Sequence, residues 1–304
     1  MVNVALLVFC FALGIILRHS GRLPENTPAA LNGFVVHISL PAVILLYVHR
    51  LPISASLVYP VVAPWILFGV GLLVFVATAK VARWSAQTTG GLILAGSLAN
   101  TSFLGLPLIE SFYGASFLGV GILIDQLGTY MVLSTLGIIV AVMYSSNQTD
   151  SVCASSVIRK VVTFAPFQAL LLALILRPIE FPAGFEELLS RLGSTLAPLA
   201  LVSVGYQLRL GDLKGRISAL TLGLLFKLVV GPILITFVLV KLLGTTGQMT
   251  QVTIFEAAMA PQIGASIVAI EHKLDPPLVT LMVGIGIPLS FLTLPLWWYV
   301  LQGI

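Results

Sequence analysis

The chain has 304 residues, of which 58% are hydrophobic and only 9% are charged, and its formal net charge is +4. A globular domain carries about 25% charged residues, so this composition excludes a soluble core and predicts an all-α polytopic membrane protein. The basic excess is too small to indicate nucleic-acid binding, and the two cysteines, Cys10 and Cys153, suggest neither a disulfide framework nor a metal cluster.

A membrane-spanning helix needs about 20 mainly apolar residues, and ten stretches approach this length. They are 2–17, 30–48, 56–79, 88–109, 115–143, 158–176, 187–208, 217–240, 251–270 and 277–300. No basic segment precedes the first stretch and Arg18 follows it, so we expect a retained span and not a cleaved signal peptide.

The connections between spans predict the orientation, because cytoplasmic loops carry the excess of Lys and Arg. Ten basic residues fall on one side: Arg18, Arg22, Lys80, Arg83, Arg159, Lys160, Arg209, Lys214, Arg216 and Lys273. Four fall on the other: Arg50, Arg177, Arg191 and Lys241. We therefore expect the first side in the cytoplasm and both termini outside, in a cell membrane such as a bacterial inner membrane.

The two halves of the chain look related. Five spans precede the central polar stretch and five follow it, so similar halves would insert with opposite topology. Pro41 precedes Asn100 by 59 positions, and Pro198 precedes Pro261 by 63. This spacing predicts an inverted repeat of five plus five spans. The predicted organisation is a first repeat, a short cytoplasmic linker and a second repeat, at 1–144, 145–157 and 158–304.

Spans 4 and 9 are each interrupted near the middle, at 100–107 and 259–265. Irregular backbone at that depth is tolerated only inside protein or along a polar cavity, and matching interruptions in two halves predict a transporter's substrate site. The expected helix-breaking residues are Gly105, Pro107, Pro261 and Gly264. The alternative for either break alone is a proline kink capped by Ser or Thr.

Polar side chains beside the breaks are the predicted substrate ligands. Asn100, Thr101, Ser102 and Gln262 offer donors and acceptors, and the helix end opened at Pro261 offers N–H groups suited to a carboxylate. Lys227 in span 8 either attracts the anion, neutralises an acid or extends along its neighbours toward water.

Two acidic residues, Asp125 in span 5 and Glu256 in span 9, are the predicted ion-coupling groups. Charges at membrane depth cost several kcal/mol, so they usually face a cavity or a partner. If ionised they would bind Na⁺ together with Asn100 or Thr129, and if protonated they would carry H⁺. The alternatives are a structural hydrogen bond from Asp125 to Lys227 or a hydroxyl, and a solvated Glu256 near the outer interface.

The segments 100–107, 201–208 and 256–261 resemble the auxin efflux carrier family, which includes plant PIN-FORMED carriers and bacterial malate and malonate permeases. The similarity covers nearly the whole chain and includes Phe226-Lys227-Leu228 and the closing Leu294-Pro295-Leu296-Trp297. It implies the fold of the bile acid sodium symporters. In that fold, broken spans 4 and 9 cross within a transport domain that moves against a scaffold of spans 1, 2, 6 and 7.

The resemblance also implies site residues. The family's substrate-binding asparagine corresponds to Asn100, whereas Ala260 stands where plant carriers have a second asparagine, and Gln262 would replace that contact. Bile acid symporters bind sodium with a glutamate on span 9 and an asparagine on span 4. Glu256 and Asn100 are similar in kind and place, which implies a sodium site there. The short central loop resembles that of a bacterial permease.

No P-loop, HExxH or GxSxG motif occurs, so we expect no enzyme and no cofactor other than a coupling H⁺ or Na⁺. The predicted function is secondary active transport of a small organic anion, a mono- or dicarboxylate, by alternating access around spans 4 and 9. The alternatives are a sodium-dependent steroid symporter and a non-transporting sensor with a transporter fold. The expected partners are the anion and the lipid bilayer but no nucleic acid, and a homodimer is left open.

Overall fold

The computed structural model describes residues 2–52, 54–145, 158–159, 161–207 and 215–304. In these ranges the regular structure is helical apart from one isolated antiparallel bridge. The predicted linker beyond Ser145, with Cys153, lies outside the described residues, as do the basic residues Lys160, Arg209 and Lys214.

We number twelve helices in the described part of the chain. They are α1 Val2–Ser20, α2 Thr27–Val48, α3 Ala55–Ala82, α4 Ala86–Ser97, α5 Thr101–Gly105 continuing as Leu106–Tyr113, α6 Ala115–Tyr144, α7 Ala165–Ile175, α8 Ala183–Gln207, α9 Ile217–Leu242, α10 Gln248–Ala257, α11 Ile263–Glu271 and α12 Pro276–Leu301. The pairs α4/α5 and α10/α11 correspond to the predicted spans 4 and 9.

Six of the described helices, α2, α3, α6, α8, α9 and α12, are long and apolar enough to cross a membrane. The apolar parts of α1 and α7 are shorter. This confirms the prediction of an all-helical polytopic membrane protein. The count of ten spans stays a prediction.

The helices form two compact units, of which the first contains α1, α2, α7, α8 and the chain from Ser102 to Ile122. Its α1 and α8 pack backbone to backbone, because a Cβ atom at Gly205 would lie 2.1 Å from the carbonyl oxygen of Phe11. Ser39 and Thr195 share a 2.6 Å hydrogen bond between α2 and α8. Close approach at a small residue and a polar pair thus contribute to the packing of this unit, as in other membrane helix bundles.

The second unit contains α3, α4, the part of α6 after Ile122, and α9 to α12. Residues 89–97 of α4 and 250–257 of α10 are all buried, so both half-helices are enclosed by protein on every side. At one end of the unit, Asp275 caps α12 and accepts hydrogen bonds from Thr88 at 2.8 Å and Arg216 at 2.9 Å. These bonds join the starts of α4, α9 and α12.

Each compact unit takes helices from both halves of the sequence, because helices distant in the chain pack together. The units therefore cut across the predicted repeats 1–144 and 158–304, which stay predictions.

Candidate substrate and ion site

The two helix interruptions lie within the second unit and bond to each other. The first extends from Leu98 to Asn100, between α4 and α5, and the second lies between Ala257 and Ile263. Asn100 N–H donates to the Ala260 carbonyl at 2.8 Å, and Gln262 N–H donates to the Leu98 carbonyl at 3.1 Å. Ala99 and Pro261 thus form an antiparallel bridge. Backbone groups freed by one break satisfy those freed by the other, as burial requires.

Three of the four predicted helix-breaking residues lie in helices beyond the breaks, which is a correction to the sequence expectation. Gly105 and Pro107 belong to α5, and Gly264 lies in the first turn of α11. Pro107 follows directly on the π-helical turn Thr101–Gly105, at the point where that turn continues as the α-helix Leu106–Tyr113. A Cβ at Gly264 would meet its nearest neighbour at an ordinary 3.5 Å. Only Pro261 lies in a break.

Asp125 connects α6 to the first break. The residue is 3% exposed, and its carboxylate accepts hydrogen bonds from Thr101 Oγ1 at 2.5 Å and from Gln126 Nε2 at 2.7 Å. It lies in the π-helical turn Ile124–Tyr130, a local widening that often occurs at functional sites. Of the alternatives left open by the sequence, a hydrogen bond to a hydroxyl group is present.

Lys227 binds the end of α10 at the second break. It is fully buried in the π-helical turn Phe226–Val230, and its Nζ donates to the Ala257 carbonyl at 2.8 Å. Ala257 is the last residue of α10, where carbonyls lack helical partners and carry partial negative charge. The ammonium group therefore caps this half-helix.

Glu256 is buried beside Lys227. The residue is 1% exposed, and neither carboxylate oxygen has a hydrogen-bond partner. The charges of Asp125 and Lys227 both act on it, although Lys227 and Glu256 form no direct ion pair in the described structure. Burial excludes the alternative of a solvated side chain. When all three groups are ionised, the cluster carries one uncompensated negative charge.

Two buried amides at the breaks have unpartnered polar atoms. Asn100 is 1% exposed, and neither Oδ1 nor Nδ2 of its side chain is hydrogen-bonded. The Oε1 atom of Gln262 is also buried and has no hydrogen-bond partner. An unsatisfied buried polar group costs about 1–3 kcal/mol, so these atoms are available to a ligand. Gln262 makes no side-chain cap on α11, which leaves the first N–H groups of that helix open.

A small cavity lies between the first break and α10. The space open to the centre of a water molecule is about 10 Å³, room for roughly one water molecule or bare monovalent ion. Its polar lining consists of Ser97, Thr101, Thr129, Thr253 and Glu256. The hydroxyls of Ser97 and Thr129 are buried without hydrogen-bond partners. An oxygen-lined space of this size suits a proton on a carboxylate or a hard cation.

The structure brings together most of the predicted site residues, but not all. Thr101, Thr129 and Glu256 line the cavity, whereas Asn100, a predicted sodium ligand, does not. Ser102 is half-buried and belongs to the first unit. Sequence reasoning missed Ser97 and Thr253. Ser97 closes the last turn of α4 just before the break, and that position could have identified it.

Comparison with known proteins identifies the family. Residues 1–298 match the model of a family described as membrane transport protein, the auxin efflux carrier family. The chain belongs to this family. The resemblance seen in the sequence is confirmed, and an auxin efflux carrier family member is a transporter and not an enzyme.

Two relatives come from methanogens, and both are described as uncharacterized transporters. The protein of Methanothermobacter thermautotrophicus is 29% identical over 296 residues, covering 95% of this chain and 94% of the relative. That of Methanocaldococcus jannaschii is 26% identical over 309 residues, covering 98% of each. The similarity to both therefore extends along nearly the entire chain.

Proposed function

We propose that this transporter is a secondary active carrier of a small organic anion, a mono- or dicarboxylate, coupled to H⁺ or Na⁺. Asn100, Gln262 and the open amides of α11 would bind the carboxylate, and Glu256 with Asp125 would bind the cation. Alternating access would occur around the two interrupted segments. One observation carries the proposal: unpartnered amide and carboxylate groups are buried together beside the paired breaks.

The charges of the cluster supply a reason for coupling. With Lys227 protonated, Asp125 and Glu256 leave one excess negative charge that would repel an incoming carboxylate. Like charges a few ångström apart repel by about 2–4 kcal/mol at an effective dielectric constant of about 20. One bound H⁺ or Na⁺ neutralises the cluster, which corresponds to a roughly 30- to 700-fold gain in anion affinity. The effect is reciprocal, so the anion would also tighten binding of the cation.

Uptake into proteoliposomes tests the proposal. Labelled mono- and dicarboxylates are supplied under a pH gradient or a Na⁺ gradient, each imposed separately. We expect accumulation above equilibrium under one gradient, which also identifies the coupling ion. Equilibration that ignores both gradients would contradict coupling, and saturable binding without counterflow would indicate a sensor.

Glu256→Gln separates coupling from substrate binding, because glutamine imitates the neutral carboxyl group. We expect this variant to keep substrate counterflow and to lose gradient-driven accumulation. Glu25→Gln, at an exposed glutamate, is the matched control and should behave as the parent protein. Normal accumulation by Glu256→Gln would remove the proposed ion site.

Asn100→Ala tests the substrate contact. Removing the buried amide should abolish both uptake and counterflow while membrane insertion stays normal, because the side chain contributes no hydrogen bond to the fold. Asn26→Ala makes the same change at an exposed asparagine whose side chain makes no capping hydrogen bond to α2. If Asn100→Ala transports as well as Asn26→Ala, the proposed anion site is wrong.

A further inference from the structure

A second cavity lies within the first unit, between the end of α2 and the first turns of α8. The space open to water centres is about 350 Å³, which falls in the usual range for small-ligand pockets. Its lining includes Tyr47, Arg50, Glu186, Glu187 and Ser190. No part of the proposed transport site uses these residues, so the cavity has no role yet.

The cavity presents charges of both signs. Arg50 pairs with Glu186, and the Arg50 side chain remains 59% exposed. Glu187 pairs with Arg191 at 2.6 Å, and its side chain is 63% exposed. Because a guanidinium group has five N–H donors and a carboxylate accepts several hydrogen bonds, both can bind a ligand while these pairs persist. The hydroxyls of Tyr47 and Ser190 add polar contacts.

The first part of α8, which borders the cavity, has the character of the interfacial end of a membrane helix. Ala183–Gly193 exposes the apolar side chains of Phe185 and Leu188 among charged residues. Ile179, in the preceding connection, is also exposed. Exposed apolar side chains next to charged ones place such a segment at the boundary between headgroups and acyl chains. The occupant of the cavity should therefore be available at the bilayer surface.

We propose that this cavity binds the headgroup of a zwitterionic phospholipid that carries a primary ammonium group. The phosphate would bind Arg50, and the ammonium would bind Glu186 and Glu187. A guanidinium group matches phosphate in a two-point contact. A purely anionic headgroup would bring its negative charge beside these two carboxylates without offering them an N–H donor, and a quaternary ammonium has no N–H to donate to them either. The proposal is independent of the transported substrate.

Thermal unfolding of the full chain in detergent tests this assignment. The additions are phosphatidylethanolamine, phosphatidylcholine, phosphatidylglycerol and soluble glycerophosphoethanolamine. We expect phosphatidylethanolamine to raise Tm by about 2–4 °C more than either other lipid, because ligands stabilise the state they bind. If the soluble compound alone gives the full shift, the same chemistry holds but the natural source is a free zwitterion. Equal shifts with all three lipids, or the largest with phosphatidylglycerol, would overturn the proposal.

Two matched variants assign the effect to the cavity. Glu187→Gln removes a lining carboxylate, whereas Arg191→Gln breaks the same ion pair from outside the lining. We expect the preference for phosphatidylethanolamine to disappear in Glu187→Gln and to persist in Arg191→Gln. Arg50→Gln should remove the response to every phospholipid. If Arg50→Gln fails to fold, the result with Glu187→Gln still decides the proposal. An unchanged preference in Glu187→Gln would also overturn the assignment.

Discussion

Among single residues, Lys227 stabilises the buried cluster in two ways, through charge and through its cap on α10. Lys227→Met should lower the free energy of unfolding by about 3–5 kcal/mol, because it leaves buried carboxylates uncompensated and the Ala257 carbonyl without its donor. Chemical unfolding in detergent measures this change. Lys241→Met, at an exposed lysine, should stay within about 0.5 kcal/mol of the parent protein.

The double variant Lys227→Met/Glu256→Gln tells these two contributions apart. If the charges interact, neutralising Glu256 should recover part of the stability lost in Lys227→Met, so the two effects will not add. Strict additivity would mean that the cap on α10 accounts for the whole effect of Lys227.

The sequence identifies some site residues and conceals others for a physical reason. Asp125, Lys227 and Glu256 stand out because ionisable groups are rare in apolar segments. Ser97 and Thr253 do not stand out, because a hydroxyl group on a membrane helix usually bonds within its own helix. Thr253 does this, donating to the Met249 carbonyl at 2.8 Å. Only packing between helices shows that Thr253 also lines the cavity, whereas the position of Ser97 just before the first break is a local signal.

At the scale of secondary structure, the close packing of α12 on the second break gives a testable constraint. A Cβ at Gly286 would lie 2.6 Å from the Pro261 ring and 3.0 Å from Leu224. Gly286→Ala should therefore displace the break, destabilise the protein by about 1–3 kcal/mol and slow transport. Melting temperature and initial uptake rate report the two effects.

Gly69→Ala in α3 is the matched control, because no atom beyond the neighbouring backbone of its own helix lies within 4 Å of its added methyl group. Alanine is the better helix former, so this variant should be as stable as the parent protein or up to about 1 kcal/mol more stable. Equal melting temperatures and uptake rates in Gly286→Ala and Gly69→Ala would show that displacing Pro261 affects neither stability nor transport.

The sequence predicts reliably that helices are present and that two of them are interrupted. It predicts less reliably at which residues each break begins and ends. Apolar length gives the helices directly, because a bilayer demands it. The sequence predicts the first break at 100–107, with its glycine and proline, but the non-helical residues end at Asn100. The backbone bonds between Leu98, Asn100 and the second break determine the actual position, and such long-range bonds leave no local signal.

For the whole molecule, the distribution of basic residues predicts a definite topology. In a background of Cys10→Ala and Cys153→Ala, single cysteines are placed at Glu25, before α2, and at Thr246, before α10. A membrane-impermeant maleimide should label Thr246→Cys in intact cells and Glu25→Cys only after lysis, because the positive-inside rule puts Glu25 in the cytoplasm. The opposite labelling pattern would reverse the predicted positions of both termini.

The bridge between Ala99 and Pro261 fixes the backbone path of the two breaks without using any side chain. Its two hydrogen bonds use only backbone atoms, so side chains at 99, 100, 260 and 262 can change without removing them. Evolution can therefore alter the side chains at Asn100, Ala260 or Gln262 while the joined segments keep their path. A change to proline at 100 or 262 is the exception, because it deletes a bridging N–H. One backbone arrangement can in this way serve transporters of many different substrates.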